Sequence, residues 1–244
     1  QTMSSSTKSL VVITGASSGI GKQTAIDFAK EGHPLLLLGR RVKLMEEMKL
    51  DNAMCLKCDV TDHDSVQNCV AQAVKKYGDV GCLVNCAGVM YLEKLADQKH
   101  ERYGQMIDIN IKGVLNCCQA VIKSMQKNKM GTIINVSSIA GVKGFGNHVA
   151  YCGTKYAVHG LSETLRQELS SDNVRVVIIA PGVVGTALLS HSTNDQIVTD
   201  YKNWVKTIEP LQPEDISECI RFAYRMPQHC CIREILVGPT KQTQ

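Results

Sequence analysis

The sequence predicts an α/β fold, with one doubly wound parallel sheet and helices on both faces. Short β-branched apolar runs recur without polar alternation, as in strands buried on both faces. Helical segments fall between these runs, and no Pro-, Gly- or Ser-rich linker or repeat divides the 244 residues. With 44% apolar residues the chain can bury a substantial core. One domain is therefore expected over 9–244, after a flexible lead-in over 1–8 with Met3 as the native start.

Composition narrows the function classes. The 27 Lys and Arg exceed 23 Asp and Glu by +4 and are scattered, which argues against a nucleic-acid surface. No apolar run approaches the roughly 18 residues of a membrane span, and the first residues lack a signal-like apolar core. A cytoplasmic protein is expected. Eleven cysteines, an odd number lying within apolar segments, read as reduced thiols packed as small hydrophobes. Cys55-x-x-Cys58 has no second Cys or His pair at a suitable interval, so no metal site is expected.

Taken in order, Ser9–Ile13 reads as a buried strand running into Thr14-Gly-Ala-Ser-Ser-Gly-Ile-Gly21. A helix follows from Gln23 to Lys30, closed by Gly32, then a strand from Leu35 to Leu38. Glycines at 15, 19 and 21 in a strand–turn–helix context let backbone approach a pyrophosphate, and the helix amino end offers it free N–H groups. Ala53–Lys57 is a brief strand, 65–77 a helix, 80–84 a strand and 106–126 a long helix. Strand 132–136 and helix 151–170 come next. Strand 174–179 precedes an irregular stretch over 187–207. A helix beginning at Leu211-Gln-Pro-Glu-Asp-Ile216, with acidic residues in its first turn, suits the macrodipole. Pro227 breaks it before a last strand over 232–237.

Tyr151 and Lys155 stand one helical turn apart on the same face. A phenol at its ordinary pKa of about 10 is a poor proton donor or acceptor near neutrality. An adjacent ammonium favours the phenolate and would draw that value down, suiting the pair to exchange a proton with an alcohol oxygen.

The Gly-x-x-x-Gly-x-Gly turn together with Tyr-x-x-x-Lys resembles the short-chain dehydrogenase/reductase family, over about residues 10–240 and with a Rossmann-type fold. The tail from Pro227 to Pro239 is most similar to the branch of NADP-dependent 3-hydroxy acid dehydrogenases and farnesol dehydrogenases. The resemblance implies a catalytic set of Asn110, Ser138, Tyr151 and Lys155. Ser138 lies thirteen positions before Tyr151 and would polarise the substrate oxygen, with Ser137 in reserve. Lys155 would also bond the ribose hydroxyls and connect through Asn110 to a relay water.

For the cofactor, Gly15, Ser17, Ser18, Gly19, Ile20 and Gly21 would form the phosphate turn. Gly39-Arg40-Arg41 carries no carboxylate where NAD enzymes hold their ribose 2′-OH. Arg40 and Arg41 can clasp a 2′-phosphate, which favours NADP(H); the alternative is two solvated loop residues. Asp59 and Val60 would lie beside the adenine, although Asp59 equally suits a cap for the helix near Asp62. Asn85-Cys-Ala-Gly88 is similar to the family's Asn-Asn-Ala-Gly with Cys86 in second place. Asn85, Ala87 and Gly88 would face the cofactor, and Val89-Met-Tyr91 the substrate. Pro181, Gly182, Val184 and Thr186 would form the nicotinamide-side loop.

Lys143, Phe145 and His148 precede Tyr151, where Lys143 or His148 could meet a carboxylate or simply be solvated. Residues 187–207 are either a substrate lid or a surface helix pair. The helices bearing Asn110 and Tyr151 would form a homodimer or homotetramer interface by resemblance; their periodicity, with Ala157, Gly160, Leu161 and Leu165, fits an internal core face equally. The expected activity is NADP(H)-dependent hydride transfer to or from a carbonyl or alcohol, a small hydroxy acid or alcohol being favoured. Bulky terpenoid, steroid or retinoid carbonyls are the alternative, and an NADP(H)-sensing binding protein a reading of another class.

Overall fold

The computed structural model describes residues 8–243; the flexible lead-in expected over 1–8 lies, for residues 1–7, outside them. Among the described residues the strands are β1 (Leu10–Thr14), β2 (Leu35–Gly39), β3 (Ala53–Lys57), β4 (Val80–Asn85), β5 (Gly131–Val136), β6 (Val174–Pro181) and β7 (Glu234–Val237). They form one parallel sheet in the order β3-β2-β1-β4-β5-β6-β7. The helices are α1 (Gly19–Lys30), α2 (Val42–Glu46), α3 (His63–Tyr77), α4 (His100–Ile107), α5 (Gly113–Asn128), α6 (Val149–Leu169), α7 (Asp195–Val205) and α8 (Pro213–Arg225).

Two cores sandwich the sheet because successive side chains of a strand point to opposite faces. Leu10, Val12, Leu36 and Leu38 pack with residues of α3, α5 and α6, whereas Val11, Ile13, Leu35 and Leu37 pack with α1 and α8. β1 and β2, covered on both sides, are buried and apolar over Leu10–Ile13 and Leu35–Leu38, which is why they read as unbroken apolar runs. Leu161 and Leu165 of α6 lean on the first of these cores. No helix among the described residues is long and apolar enough to cross a membrane.

The chain winds outward from β1 to β3, then returns to lay β4 against the other side of β1. Loops leaving the carboxyl ends of β1 and β4 therefore diverge and open a crevice between them. Two expectations need correction here. The helix expected from Gln23 begins at Gly19, because Gly19 and Gly21 lie in its first turn and not before it. The single long helix expected over 106–126 is instead α4 and α5, joined by a π-turn at Asp108–Lys112 in which the Gly113 N–H donates to the Asp108 carbonyl, five residues back.

Candidate active site

A cleft of about 1620 Å³ runs over the carboxyl edge of the sheet from the glycine turn to α7. At the β1 end, Gly15 has φ +65°, and a Cβ there would lie 2.9 Å from the backbone of Ala87. A Cβ on Gly21 would lie 2.6 Å from the Gly15 carbonyl oxygen. Close backbone approach thus leaves room only for hydrogen at both positions. Ser18 caps α1 without its side chain bonding the helix amides, so first-turn N–H groups are free to meet an anion. Thr14 accepts hydrogen bonds from the Cys86 and Ala87 N–H groups at 3.1 Å each, tying the glycine turn to the loop after β4.

Arg41 leans over this turn. Its Nε and Nη2 donate to the Ser17 hydroxyl at 3.2 and 3.0 Å, and Nη2 reaches the Ser18 hydroxyl at 2.8 Å. Burial pushes the Asp59 carboxyl up, but the N–H and hydroxyl of Thr61, with the charge of Arg40, hold it below its ordinary value. Asp59 is not the helix cap: Asp62 caps α3, accepting from the Ser65 N–H at 3.0 Å. Ile20, Val60, Ala87 and Gly88 line the same end of the cleft, and Pro181, Gly182, Val184 and Thr186 its floor after β6.

Ser138, Tyr151 and Lys155 also line the cleft. Ser138 follows β5 and accepts from the Ala140 N–H at 3.1 Å, which starts the 3-10 turn Ile139–Gly141. Ser137 is engaged by the scaffold: its N–H donates to Ile179 and its hydroxyl to the Lys155 carbonyl. Lys155 donates through Nζ to the Val136 carbonyl at 3.0 Å, and that nitrogen stands 5.7 Å from the centroid of the Tyr151 ring. Burial lowers Lys155 from 10.5 to about 8. Burial likewise pushes the Tyr151 phenol well above its ordinary value, against the pull of the Ser138 hydroxyl. The expectation that Lys155 draws the phenol down is therefore not met, because desolvation outweighs an ammonium held on a strand carbonyl.

Asn85 and Asn110 do not line the cleft. Asn85, 3% exposed, points into the sheet and donates to Asn135 at 2.9 Å and to the Cys118 sulfur at 3.5 Å. Asn110, 1% exposed in the π-turn, accepts from the Val89 N–H and donates to the Val89 carbonyl, both at 2.9 Å, and donates to Thr154 at 3.1 Å. Its amide is fully occupied in fixing the backbone after Gly88 beside α6. Neither asparagine is among the residues that line the cleft; both hold its wall from behind.

The segment after Thr186 covers the far end. Thr186 accepts from the Leu188 N–H at 3.4 Å and starts the 3-10 turn Ala187–His191, which leads into α7. Ser192 accepts from the Leu92 N–H at 2.9 Å, and Asn194 donates to both Glu93 oxygens at 3.0 Å. Phe145 and His148 line the cleft, whereas Lys143 is exposed and does not. Sequence reasoning missed Gln242, whose side-chain oxygen accepts from the Val183 N–H at 3.1 Å and packs against Gly182. A glutamine close to the end of the chain gives no local signal of such a role. Among the described residues no three His, Cys, Asp or Glu side chains converge as metal ligands.

The geometry has close counterparts. The family model for short chain dehydrogenases matches residues 9–197. An uncharacterized oxidoreductase of Staphylococcus saprophyticus is 38% identical over 244 residues, covering 96% of this chain and 97% of that protein. A serine dehydrogenase solved in its closed form complexed with NADP+ superposes with a TM-score of 0.91 at 30% identity, covering 96% of each chain. An alcohol dehydrogenase from the archaeon Thermococcus sibiricus, complexed with 5-hydroxy-NADP, gives 0.83 at 25% identity, covering 97% of this chain and 99% of that one. With its parallel sheet, glycine turn and matching sequence, this chain belongs to the short chain dehydrogenase family.

Proposed function

We propose that the protein is an NADP(H)-dependent oxidoreductase that moves a hydride between a nicotinamide and the carbon of a carbonyl or alcohol. The observation that carries this reading is that one cleft is lined by the glycine turn and two arginines at one end and by Ser138, Tyr151 and Lys155 at the other. The glycine cradle, where a Cβ would strike backbone, fits a pyrophosphate, and Arg40 and Arg41 fit a 2′-phosphate. When bound, the nicotinamide supplies or takes up the hydride.

The chain's own residues handle position and protons. Ser138 presents its hydroxyl to the substrate oxygen and stabilises charge forming there. Burial keeps Tyr151 protonated at neutral pH, so in the reductive direction it gives its proton to that oxygen as the carbonyl π bond opens. Lys155, charged below about pH 8, stabilises the phenolate left behind until solvent reprotonates it. Alcohol oxidation runs the same steps in reverse.

Residues 187–207 act as a substrate lid over a single domain, a role supported by their bonds to the loop after β4. A homodimer or homotetramer is supported by exposed apolar side chains along α4–α6: Ile107, Leu115, Val149 and Tyr156. The test is Tyr151→Phe. Folded protein should still bind NADPH, read by nucleotide fluorescence, while carbonyl turnover falls by about two to four orders of magnitude. Normal turnover in that variant would end the proposal.

A further inference from the structure

The floor of the cleft after β6 is pinned from two sides. On one, the Gly182 N–H donates to the Val237 carbonyl of β7 at 2.7 Å, continuing the ladder that pairs Pro181 with Val237. On the other, Val184 bridges to Leu211, where the chain returns from the 187–207 segment. The Leu211 N–H donates to the Val183 carbonyl at 3.0 Å, and the Gly185 N–H to the Leu211 carbonyl at 2.7 Å. These are backbone bonds. The Val183 N–H is met by a side chain instead, donating to Gln242 Oε1 at 3.1 Å.

Gln242 is brought there by the turn after β7, in which its own N–H donates to the Pro239 carbonyl at 2.9 Å. The fit is close, since a Cβ on Gly182 would collide with Gln242 Oε1 and lie 3.1 Å from Gly238 and from Pro239. Gly182, Val183 and Gln242 all line the cleft, and Val183 is buried. Without the glutamine oxygen, a backbone N–H at the cleft floor would lose its partner, and the 182–183 peptide would be free to turn in search of another.

We propose that Gln242 is a positioning residue for the nicotinamide half of the cofactor. This rests on the hydride-transfer reading, in which residues 181–186 lie beneath the nicotinamide. Gln242 acts through Val183: its oxygen fixes the 182–183 peptide, and the Val183 carbonyl in turn holds Leu211 at the exit of the lid. Misplacing a reacting group by about 1 Å can cost about two orders of magnitude in rate, so a fixed floor matters to hydride transfer. The adenine half belongs to the other end of the cleft, with Arg40 and Arg41, and does not depend on this turn.

The test compares NADPH, followed by its fluorescence, with adenosine 2′,5′-bisphosphate, which keeps the adenine end and lacks the nicotinamide, followed by displacement. Gln242→Leu keeps the bulk of the side chain and removes the acceptor. It should weaken NADPH about fivefold, the equivalent of one neutral hydrogen bond of about 1 kcal/mol, and leave the bisphosphate within about twofold. Gln242→Glu keeps an acceptor oxygen and should bind both ligands like the wild type. Amide exchange adds a measure that needs no variant: in the wild type, NADPH should slow exchange at Val183 more than the bisphosphate does. Equal weakening of both ligands in Gln242→Leu would make the residue a general brace and overturn the proposal. Unchanged NADPH binding in that variant, a Gln242→Glu variant as weak as Gln242→Leu, or equal protection of Val183 by the two ligands would overturn it as well. A wild-type protein that binds neither ligand would instead refute the cofactor reading beneath it.

Discussion

Arg41 offers the most direct test of how the cleft selects its cofactor. Its guanidinium already bonds Ser17 and Ser18 over the turn that would cradle the pyrophosphate, so it is held where a 2′-phosphate would arrive. A hydrogen bond to a charged group contributes about 1.5–3 kcal/mol. Arg41 is exposed at the cleft lip, so solvent screening places its contribution near the lower end. At 1.4 kcal/mol per decade, about 1.5–2 kcal/mol corresponds to a loss of roughly 10- to 30-fold in kcat/KM for NADPH in Arg41→Ala. The bonds to the two serines are lost as well, but these join a solvated cation to neutral hydroxyls, and loosening them should cost NADH no more than about threefold. The assay is the initial rate of nicotinamide oxidation with one carbonyl substrate, each cofactor varied in turn, at low and high salt. The NADPH-to-NADH ratio should drop by about a decade, and the wild-type advantage should shrink as salt rises. Equal losses for both cofactors would refute the phosphate role and leave Arg41 as a brace for the turn.

Four further outcomes are expected. Gly21→Ala would set a methyl 2.6 Å from the Gly15 oxygen and 2.9 Å from its carbonyl carbon, backbone that cannot step aside, so about 1–3 kcal/mol of stability and most cofactor affinity should be lost, read by thermal melting and NADPH titration. Lys155→Met should abolish turnover yet raise stability at pH 7 by about 1–2 kcal/mol after the loss of the Val136 bond, since burial depresses the lysine pKa to about 8. The unfolded chain keeps that proton up to about 10.5, so the cost is full below pH 8 and fades as pH rises towards 10.5; melting should show the variant's advantage narrowing over that window, and a variant that melts lower at pH 7 would contradict it. Wild-type kcat/KM should fall as pH passes about 8 and the ammonium is lost. Asn110→Leu strands the Val89 N–H and carbonyl in the interior and removes a donor from the Thr154 hydroxyl, which keeps its bond to the Tyr151 carbonyl, for a loss of about 2–4 kcal/mol in denaturant melts.

The parts of this protein that were legible in its sequence are those whose physics is local. A strand covered on both faces is apolar wherever no buried partner meets a polar group, so Val11–Ile13 and Leu35–Leu38 announce themselves. A backbone packed so close to another that a Cβ would fall within 3 Å of it must be glycine, so Gly15 and Gly21 are visible as a pattern. Tyr151 and Lys155 share a helix face by spacing alone. Asn110 has the same residue type whether it touches a water, a cofactor or Val89, and only the fold decides, by bonding it to Val89 across 21 residues and to Thr154 across 44. Asn85 is decided in the same way by Asn135, and Ser137 by Ile179. The π-turn is equally silent, since Asp108–Lys112 has an ordinary helical composition and its extra residue is defined by the Gly113-to-Asp108 bond. The error over Tyr151 has the same origin. Sequence spacing sets the Tyr–Lys pair on one face, but the sign of the phenol's shift depends on how dry the site is and on which oxygen Lys155 chooses. Here burial and the Val136 carbonyl make the lysine a weaker acid-strengthener than its position on the helix suggests. Such long-range contacts support the site from outside the cleft, and they are also the ones that a single sequence cannot spell out.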